Sequence, residues 1–442
     1  MSKGAVVLVG GGLGGSLMAI LLGRAGYAVR GIEMRPDARA GPPQGGRSIN
    51  LALSARGLHA LERVGLAREI LSLAVPMRGR MIHSQDGRTA FQPYGTSDDQ
   101  VNNSVSRADL NIALLNAAER LPDVRFSFGQ RVQAVDVKSG EVTALDTATG
   151  AARTIRGDVV IGADGAFSAV RRQLAKQDRF DYQQAFLSHG YKELSIPPSG
   201  DGGFRIEKNA LHIWPRGGFM MIALPNRDGS FTCTLFLPFE GENGFAALTT
   251  EADIRRFFDR HFPDAVPLMP GLAEECLTHP TGSMVTIRCR PWHGGGRVGL
   301  LGDACHAVVP FHGQGANAAF EDCLALDECI RRHATDWGAT FAAFEEMRRE
   351  NTDALADLSI DNFEEMKHHT GSRLFLLKKA LEKGLHRLFP SRFVPLYMMI
   401  SFTLIPYAEA RRRARRQARA LGAAAACALI ALFLLLVWLS RG

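Results

Sequence analysis

At 442 residues the chain is too long for a single core and long enough for two domains with accessory segments. Its 46% hydrophobic and 22% charged residues, with no low-complexity tract or internal repeat, exclude a disordered or repetitive architecture. The formal charge of +7 is concentrated in six arginines between Arg411 and Arg419 with no acid among them, so the remainder is close to neutral and no nucleic-acid surface is indicated.

The stretch Val6 to Gly15 opens the chain's organisation. Four apolar residues predict a buried parallel strand, and Gly10, Gly12 and Gly15 follow at the spacing G-x-G-x-x-G where that strand turns into a helix over 16–25. Gly10 allows the turn, Gly12 lets a pyrophosphate approach the backbone, and Gly15 lets helix and strand pack closely, with the helix N-terminus facing the anion. A second strand, 28–33, ends in Glu33 at the spacing expected of a ribose acceptor. The few residues before the first strand are too short for a signal peptide.

A Pro- and Gly-rich loop, Pro36 to Gly46, precedes an extended Arg47 to Ser54 and a helix over 55–64 with Ser54 as its N-cap. Met77 to His83 reads as one extended run, in which Arg78 and Arg80 face the same side. Tyr94 and Gly95 end a strand, Ser106 to Asp109 starts a helix, and Ser127 to Gly150 alternates as a hairpin. Asp158 to Gly162 is a buried strand running into Asp164 and Gly165. From about Phe180 to Arg288 the strands 210–214, 219–224 and 231–237, separated by turn residues, predict an antiparallel meander. Val298 to Leu301 returns to buried-strand character and leads into Gly302, Asp303 and a second glycine-rich turn, Gly313 to Asn317. Residues 331–410 read as helical throughout. The organisation expected is a discontinuous dinucleotide domain (1–70, 101–179, 291–330), a substrate sheet (71–100, 180–290), a helical region (331–410) and a terminal span.

That span, 420–439, holds twenty residues without a charge, roughly 30 Å of helix and about the thickness of a bilayer core. Trp438 stands at its edge, as interfacial aromatics do. The arginine cluster precedes it and only Arg441 follows, so the positive-inside bias places the catalytic body on the cytoplasmic side: of a bacterial inner membrane, or of the mitochondrial outer membrane in a eukaryote. The seven cysteines form no C-x-x-C pair and read as reduced and mostly buried, with no metal site.

The glycine fingerprint with Glu33, Asp164-Gly165, and Gly302-Asp303 with its downstream Gly-Gln-Gly-Ala-Asn, in this order, resemble the single-component FAD-dependent aromatic hydroxylases. The longer stretches Gly46 to Ser54, Met77 to Ser84, Leu211 to Arg216, Phe219 to Pro225 and Phe231 to Phe236 are similar to those of the kynurenine 3-monooxygenase branch. The resemblance implies an α/β fold: a Rossmann-like FAD-binding domain, an antiparallel β-sheet substrate domain, C-terminal helices and a single transmembrane helix. It implies hydroxylation of L-kynurenine by O2 through a flavin C4a-hydroperoxide, with FAD as cofactor, NADPH as co-substrate, and membrane lipid around the terminal helix. Carried over residue by residue, substrate contacts fall on Arg80, Tyr94, Asn362 and Tyr407. A guanidinium beside a phenol suits an α-carboxylate. Spacing alone leaves Arg78 as an alternative to Arg80. Cofactor contacts fall on Gly10, Gly12, Gly14, Gly15, Ile32, Glu33, Met34, Arg35, Ala52, Arg107, Val132, Asp164, Asp303, Ala316 and Asn317. At Ala316 the family carries a bulkier Met, which leaves the fit at that edge of the flavin ring open. No side chain is expected to act as catalyst. His306 reads either as a base or as a packed histidine, and Ile222, Leu224, Phe236 and Pro310-Phe311 as a wall against water or as core.

Two other functions share these motifs: a membrane-associated flavin hydroxylase or reductase of a quinone or isoprenoid, and a non-catalytic flavin redox sensor. A buried cation wants an anion, which a quinone does not offer. Turnover of NADPH with kynurenine separates a catalyst from a sensor.

Overall fold

The computed structural model describes residues 3–41, 50–97, 99–368, 381–382 and 384–440. Most of the loop after Gly41, the first part of the stretch Gly46 to Ser54, and Arg441 lie outside the described residues.

The chain begins β1 (Ala5–Val9), α1 (Leu13–Arg24), β2 (Ala28–Ile32), β3 (Asn50–Leu53), α2 (Ala55–Arg63), α3 (Ala67–Ser72), β4 (Val75–Met77), β5 (Gly79–His83), β6 (Thr89–Pro93), β7 (Asn102–Ser106) and α4 (Arg107–Glu119). It continues β8 (Val124–Ser127), β9 (Gln130–Val135), β10 (Glu141–Asp146), β11 (Ala152–Arg156), β12 (Val159–Gly162) and α5 (Ala169–Leu174). The meander is β13 (Asp181–Ile196), β14 (Ala210–Pro215), β15 (Met220–Pro225) and β16 (Phe231–Pro238), followed by α6 (Glu251–His261), α7 (Leu272–Thr278) and β17 (Gly282–Arg290). Then come β18 (His293–Gly294), β19 (Val298–Leu300), α8 (Asp303–His306), α9 (Gly315–His333), α10 (Trp337–His368), α11 (Leu396–Phe402) and α12 (Tyr407–Leu439).

A six-stranded sheet in the order β18-β19-β12-β1-β2-β8 forms the dinucleotide half, parallel except for the short edge strand β18. Its three segments lie far apart in sequence, so the domain is assembled from separated stretches. Helix α1 starts at Leu13, immediately after Gly12 and earlier than the periodicity placed it, and buries nine of its residues. Leu17, Ile20 and Leu22 are almost fully enclosed, each stabilising by about 1.5–3 kcal/mol relative to exposure.

The second half is a seven-stranded sheet, β17-β13-β16-β15-β14-β5-β6, and a small sheet β3-β7-β4 stands between the halves. Met77 to His83 is therefore not one extended run. The chain leaves the small sheet after Met77 and joins the large one at Gly79, and Arg78 occupies the break. Arg78 is exposed, whereas Arg80 is held in the ladder opposite Gln92 and Leu211. Ser54 does stand at the N-cap of α2, but its hydroxyl makes no cap bond and instead meets Gln314 Oε1 at 3.4 Å. Residues 331–410 are not helical throughout: the chain is irregular at 389–395 and 403–406, where Pro390, Pro395 and Pro406 each remove a backbone donor.

Helix α9 is tied to α2 and α10 by buried ions. Arg56 Nη1 meets Glu321 at 2.6 Å, and Arg348 Nε meets Asp322 at 2.6 Å. Arg56 also donates to the carbonyls of Ile400, at 2.9 Å, and Ile405, which fastens the C-terminal helices to the dinucleotide half. All seven cysteines are free thiols, with Cys427 alone exposed.

On the far face of the large sheet, under α6, His83 Nδ1 meets Asp264 at 2.8 Å and His83 Nε2 meets His212 Nδ1 at 2.8 Å. Burial lowers the His212 pKa to about 4. An unfolded histidine takes a proton near pH 6.5, so between about pH 6.5 and 4 the unfolded chain binds a proton that the folded chain refuses, and stability falls as pH falls. Thermal melts at pH 7.5 and 4.5 are expected to show a loss smaller by roughly 2–3 kcal/mol in His212→Gln than in the parent; equal losses would remove His212 as the source.

Candidate functional site

The turn after β1 is built for close approach. Gly10 has φ +105°, and a Cβ there would lie 2.4 Å from the Ala163 carbonyl oxygen; a Cβ on Gly15 would lie 1.9 Å from that of Gly10. Asn111 Nδ2 and Ser16 Oγ both donate to the Gly11 carbonyl at 3.0 Å, fixing the turn. Helix α1 has no side-chain cap and no acid in its first turn, so its first N–H groups are left for an anion. The space above Gly12 is open apart from Arg35 Nη2 at 3.9 Å from a Cβ position.

Glu33 ends β2 with its carboxylate buried. Gly11 N–H donates to Oε2 at 2.7 Å, and Arg35 donates to Oε1 from its backbone at 2.9 Å and from Nε at 2.8 Å. Burial works to raise the carboxyl, but the bonds from Arg35 and Gly11 outweigh it and hold Glu33 below the ordinary carboxylate range. Ile32 is enclosed, Met34 is 54% exposed at the crevice rim, Gly14 accepts from the Cys323 thiol at 3.2 Å, and Val132 belongs to the core beneath.

Asp164 accepts from the first two N–H groups of α5. Ser168 Oγ donates to it at 2.5 Å and Ala169 N–H at 2.6 Å, while burial raises its pKa against those bonds. Asp303 opens α8 behind Gly302, whose φ is +62°. Its side chain is reached by water from the crevice yet surrounded by protein, and the loss of hydration raises its pKa against the pull of His306 and Arg107. Arg107 is exposed at the start of α4, and its charge is felt by Asp303, Tyr191 and Glu193 across the interdomain gap. Asn317 knits two turns together: Nδ2 donates to the carbonyls of Ala52 and Gly313 at 2.9 Å, and Oδ1 accepts from Ser54 N–H at 3.0 Å. Ala316 lies beside it in the first turn of α9, partly buried. An open backbone turn, free helix N–H groups, a fixed carboxylate at β2 and a second one in the crevice fit a dinucleotide.

His306 is packed in the interior beside α9. Its Nε2 meets Asp322 at 2.6 Å, both groups are buried, and its ring lies 5.2 Å from Trp292.

The other constellation gathers around Arg80. Its guanidinium lies over the Tyr397 ring at 4.7 Å and the Tyr94 ring at 5.9 Å, and its buried Nε has no hydrogen-bond partner. Burial disfavours the cation, but Tyr397, Tyr94 and the Glu365 carboxylate hold its pKa above the usual value. Tyr94 stacks on Tyr397 at 5.2 Å, and Asn102 donates to the Tyr397 hydroxyl at 2.7 Å. Leu211 and Ile222 join this cluster to the one containing Phe236 and Phe311; Leu224 packs directly with Tyr94 and Met77. Asn362 donates to the Phe311 carbonyl at 2.7 Å and so holds the turn at 310–312.

Tyr407, expected in this group, is elsewhere. It is fully buried among Ala318, Leu355 and Ile400, its hydroxyl bonds Gln314 at 3.1 Å, and Arg56 covers its ring at 4.0 Å. The position it was expected to fill beside Arg80 belongs to Tyr397 on α11, whose local signal is Pro395 starting a new helix two residues earlier. Tyr407→Phe is therefore expected to cost about 1 kcal/mol of stability with little change in substrate KM, and Tyr397→Phe to raise KM severalfold; melts and steady-state kinetics on the pair check this, and the reverse pattern would restore Tyr407 to the site.

A separate crevice of about 660 Å3 opens between the small and large sheets, lined by Asn50, Ser104, Glu193 and Thr232 among others; it contains neither Arg80 nor Asp303.

A profile of the FAD binding domain family matches residues 3–350. The chain is 52% identical over 405 residues to a kynurenine 3-monooxygenase of Myxococcus xanthus, covering 92% of this chain and 87% of that one. It is 46% identical over 423 residues to a kynurenine 3-monooxygenase of Dictyostelium discoideum, covering 92% and 90%. Among solved structures it is similar to 2-methyl-3-hydroxypyridine-5-carboxylic acid oxygenase, with TM-score 0.68 and 22% identity over 90% of this chain and 95% of that one. A tetracycline destructase matches at TM-score 0.63 and 18% identity, over 88% and 98%. These two likenesses show the fold.

Proposed function

The chain belongs to the FAD binding domain family and, within it, to the kynurenine 3-monooxygenases, and from that premise we propose that it hydroxylates L-kynurenine to 3-hydroxykynurenine with FAD, NADPH and O2. The observation that carries the substrate is Arg80, a half-buried cation whose enclosed Nε lacks a partner and whose guanidinium lies over two phenol rings. An enclosed guanidinium N–H without an acceptor favours an anion, and the α-carboxylate of kynurenine supplies one. Ile222, Phe236 and Phe311 offer the aminophenyl ring an apolar wall that keeps water from the reacting region.

FAD, when bound, carries electrons from NADPH to dioxygen and presents the activated oxygen to the ring. The chain's own part is to hold and orient. Glu33 takes the adenosine ribose, the α1 N-terminus the pyrophosphate, and Asp303 the ribityl chain. Asn317 fixes the Ala52 and Gly313 backbone beside the flavin ring, with Arg107 facing Asp303. Asp164 acts through α5, whose first two N–H groups it accepts from. Incubating purified protein with FAD, NADPH and kynurenine should give a product one oxygen atom heavier; NADPH oxidation that kynurenine neither accelerates nor converts into that product would favour a quinone reductase or a sensor.

Replacing Asp303 by Ala should weaken FAD binding by about 10- to 100-fold, the range of a charge-assisted bond of about 1.5–3 kcal/mol, leaving a folded protein with little flavin colour. Full flavin stoichiometry after gel filtration would place the ribityl contact elsewhere.

Helix α12 runs unbroken from Tyr407 to Leu439, and its apolar half is exposed, with Leu429 at 68% and Phe433 at 64%. It is long and apolar enough to cross a membrane. With the arginines on its N-terminal side, the catalytic body faces the cytoplasm.

A further inference from the structure

Between α10 and α11 the chain presents six consecutive exposed residues, Arg387 to Arg392, and two of them are large and apolar: Leu388 is 73% exposed and Phe389 52%. This knuckle is held firmly. His386 Nδ1 bonds the Phe393 carbonyl at 2.7 Å, and the N–H groups of Arg392 and Phe393 both return to the Phe389 carbonyl, at 3.1 and 2.9 Å. Leu388 and Phe389 are thus displayed by an ordered turn, although burial would stabilise each by about 1.5–3 kcal/mol.

Its place on α12 identifies what covers it. In the orientation that satisfies both of its groups, the Gln417 amide donates to the Val394 carbonyl and accepts from Val394 N–H, each at 3.0 Å. Gln417 lies three residues before Ala420, about 4.5 Å along the helix, so the knuckle docks at the level where the uncharged span begins. The charges around it have one sign. Arg415, Arg416 and Arg419 are exposed and make no ion pair among the described residues, nor do Arg387 and Arg392, and no Asp or Glu occurs between Glu382 and Glu409 or after Glu409.

Resting on the reading of α12 as a membrane span, we propose that this knuckle is a second membrane contact, with Leu388 and Phe389 entering the boundary between headgroups and acyl chains and five arginines forming a collar on anionic headgroups. Apolar residues inserted at that depth, flanked by arginines, are the chemistry of interfacial attachment. Two contacts, one spanning and one interfacial, fix the rotation of the body about the α12 axis, which a single helix does not. The same stretch then carries Tyr397 and Phe402 onto Tyr94, placing the Arg80 chamber close behind the lipid contact in sequence.

The test is depth measurement on the full chain. Cys427→Ser leaves only buried thiols, so a nitrobenzoxadiazole label can be placed at Phe389→Cys or, separately, at Leu436→Cys, with flavin content checking the fold. In vesicles of phosphatidylcholine and phosphatidylglycerol the label at 389 should be quenched by shallow doxyl-labelled lipid and protected from iodide. That protection should be lost on adding Arg387→Gln and Arg392→Gln. A label at 389 open to iodide while that at 436 stays in lipid overturns the second contact alone. Both labels open to iodide overturn the span as well, and protection at 389 that is unchanged without phosphatidylglycerol overturns the anionic collar.

Discussion

Arg80→Met is expected to raise the KM for kynurenine by roughly 10- to 1,000-fold, or about 1.5–4 kcal/mol, with flavin content unchanged. The size follows from the setting. The guanidinium is packed between two phenol rings with an unpartnered Nε, so a bound carboxylate gains a charge-assisted bond where water competes little. Removing the cation leaves that carboxylate buried without its counter-charge. Arg78→Met, at the exposed break between β4 and β5, should leave KM within about twofold, as surface substitutions do. A large effect at Arg78 and none at Arg80 would invert the assignment.

What the sequence made legible here was local. Gly10, Gly12, Gly15 and Glu33 fall within one strand-helix-strand unit, where spacing alone dictates which backbone groups converge, and the structure places Glu33 against Gly11 at 2.7 Å. Asp303 was readable for the same reason, as the residue after a strand and a glycine. The Arg80 chamber was legible only in part. Alternation made Arg78 and Arg80 equivalent because it treats Met77 to His83 as one strand, and the transfer between two sheets that separates them is a tertiary event. Tyr397 approaches Arg80 from more than three hundred residues away, on a short helix that proline boundaries cut out of an apparently continuous helical region. The partnerships of Arg56 and Arg348 with Glu321 and Asp322 likewise join three helices, and no periodicity in any one of them announces an ion network.

Ending the chain after Leu421 should move the protein from the membrane pellet to the soluble fraction while it keeps its flavin. The cut point matters, because the first part of α12 belongs to the folded body: Tyr407 and Ala410 are fully buried, Arg411 pairs with Asp357, and Arg412 meets Glu350 at 2.5 Å. Stopping at Ala410 would remove those pairs and the Gln417 contact along with the span, and so confuse loss of the membrane with loss of stability. Past Leu421 the large apolar side chains described are exposed, with Trp438 at 72%, so little packing is given up there. Twenty uncharged residues supply far more transfer energy than five arginines on a headgroup surface, each worth about 1 kcal/mol near anionic lipid. The full chain should therefore resist high-salt washing and need detergent for release. The shortened chain, keeping the arginine collar and the Leu388–Phe389 knuckle, should bind anionic vesicles weakly and come off in salt. Release of the full chain by salt alone would reduce α12 to a peripheral attachment.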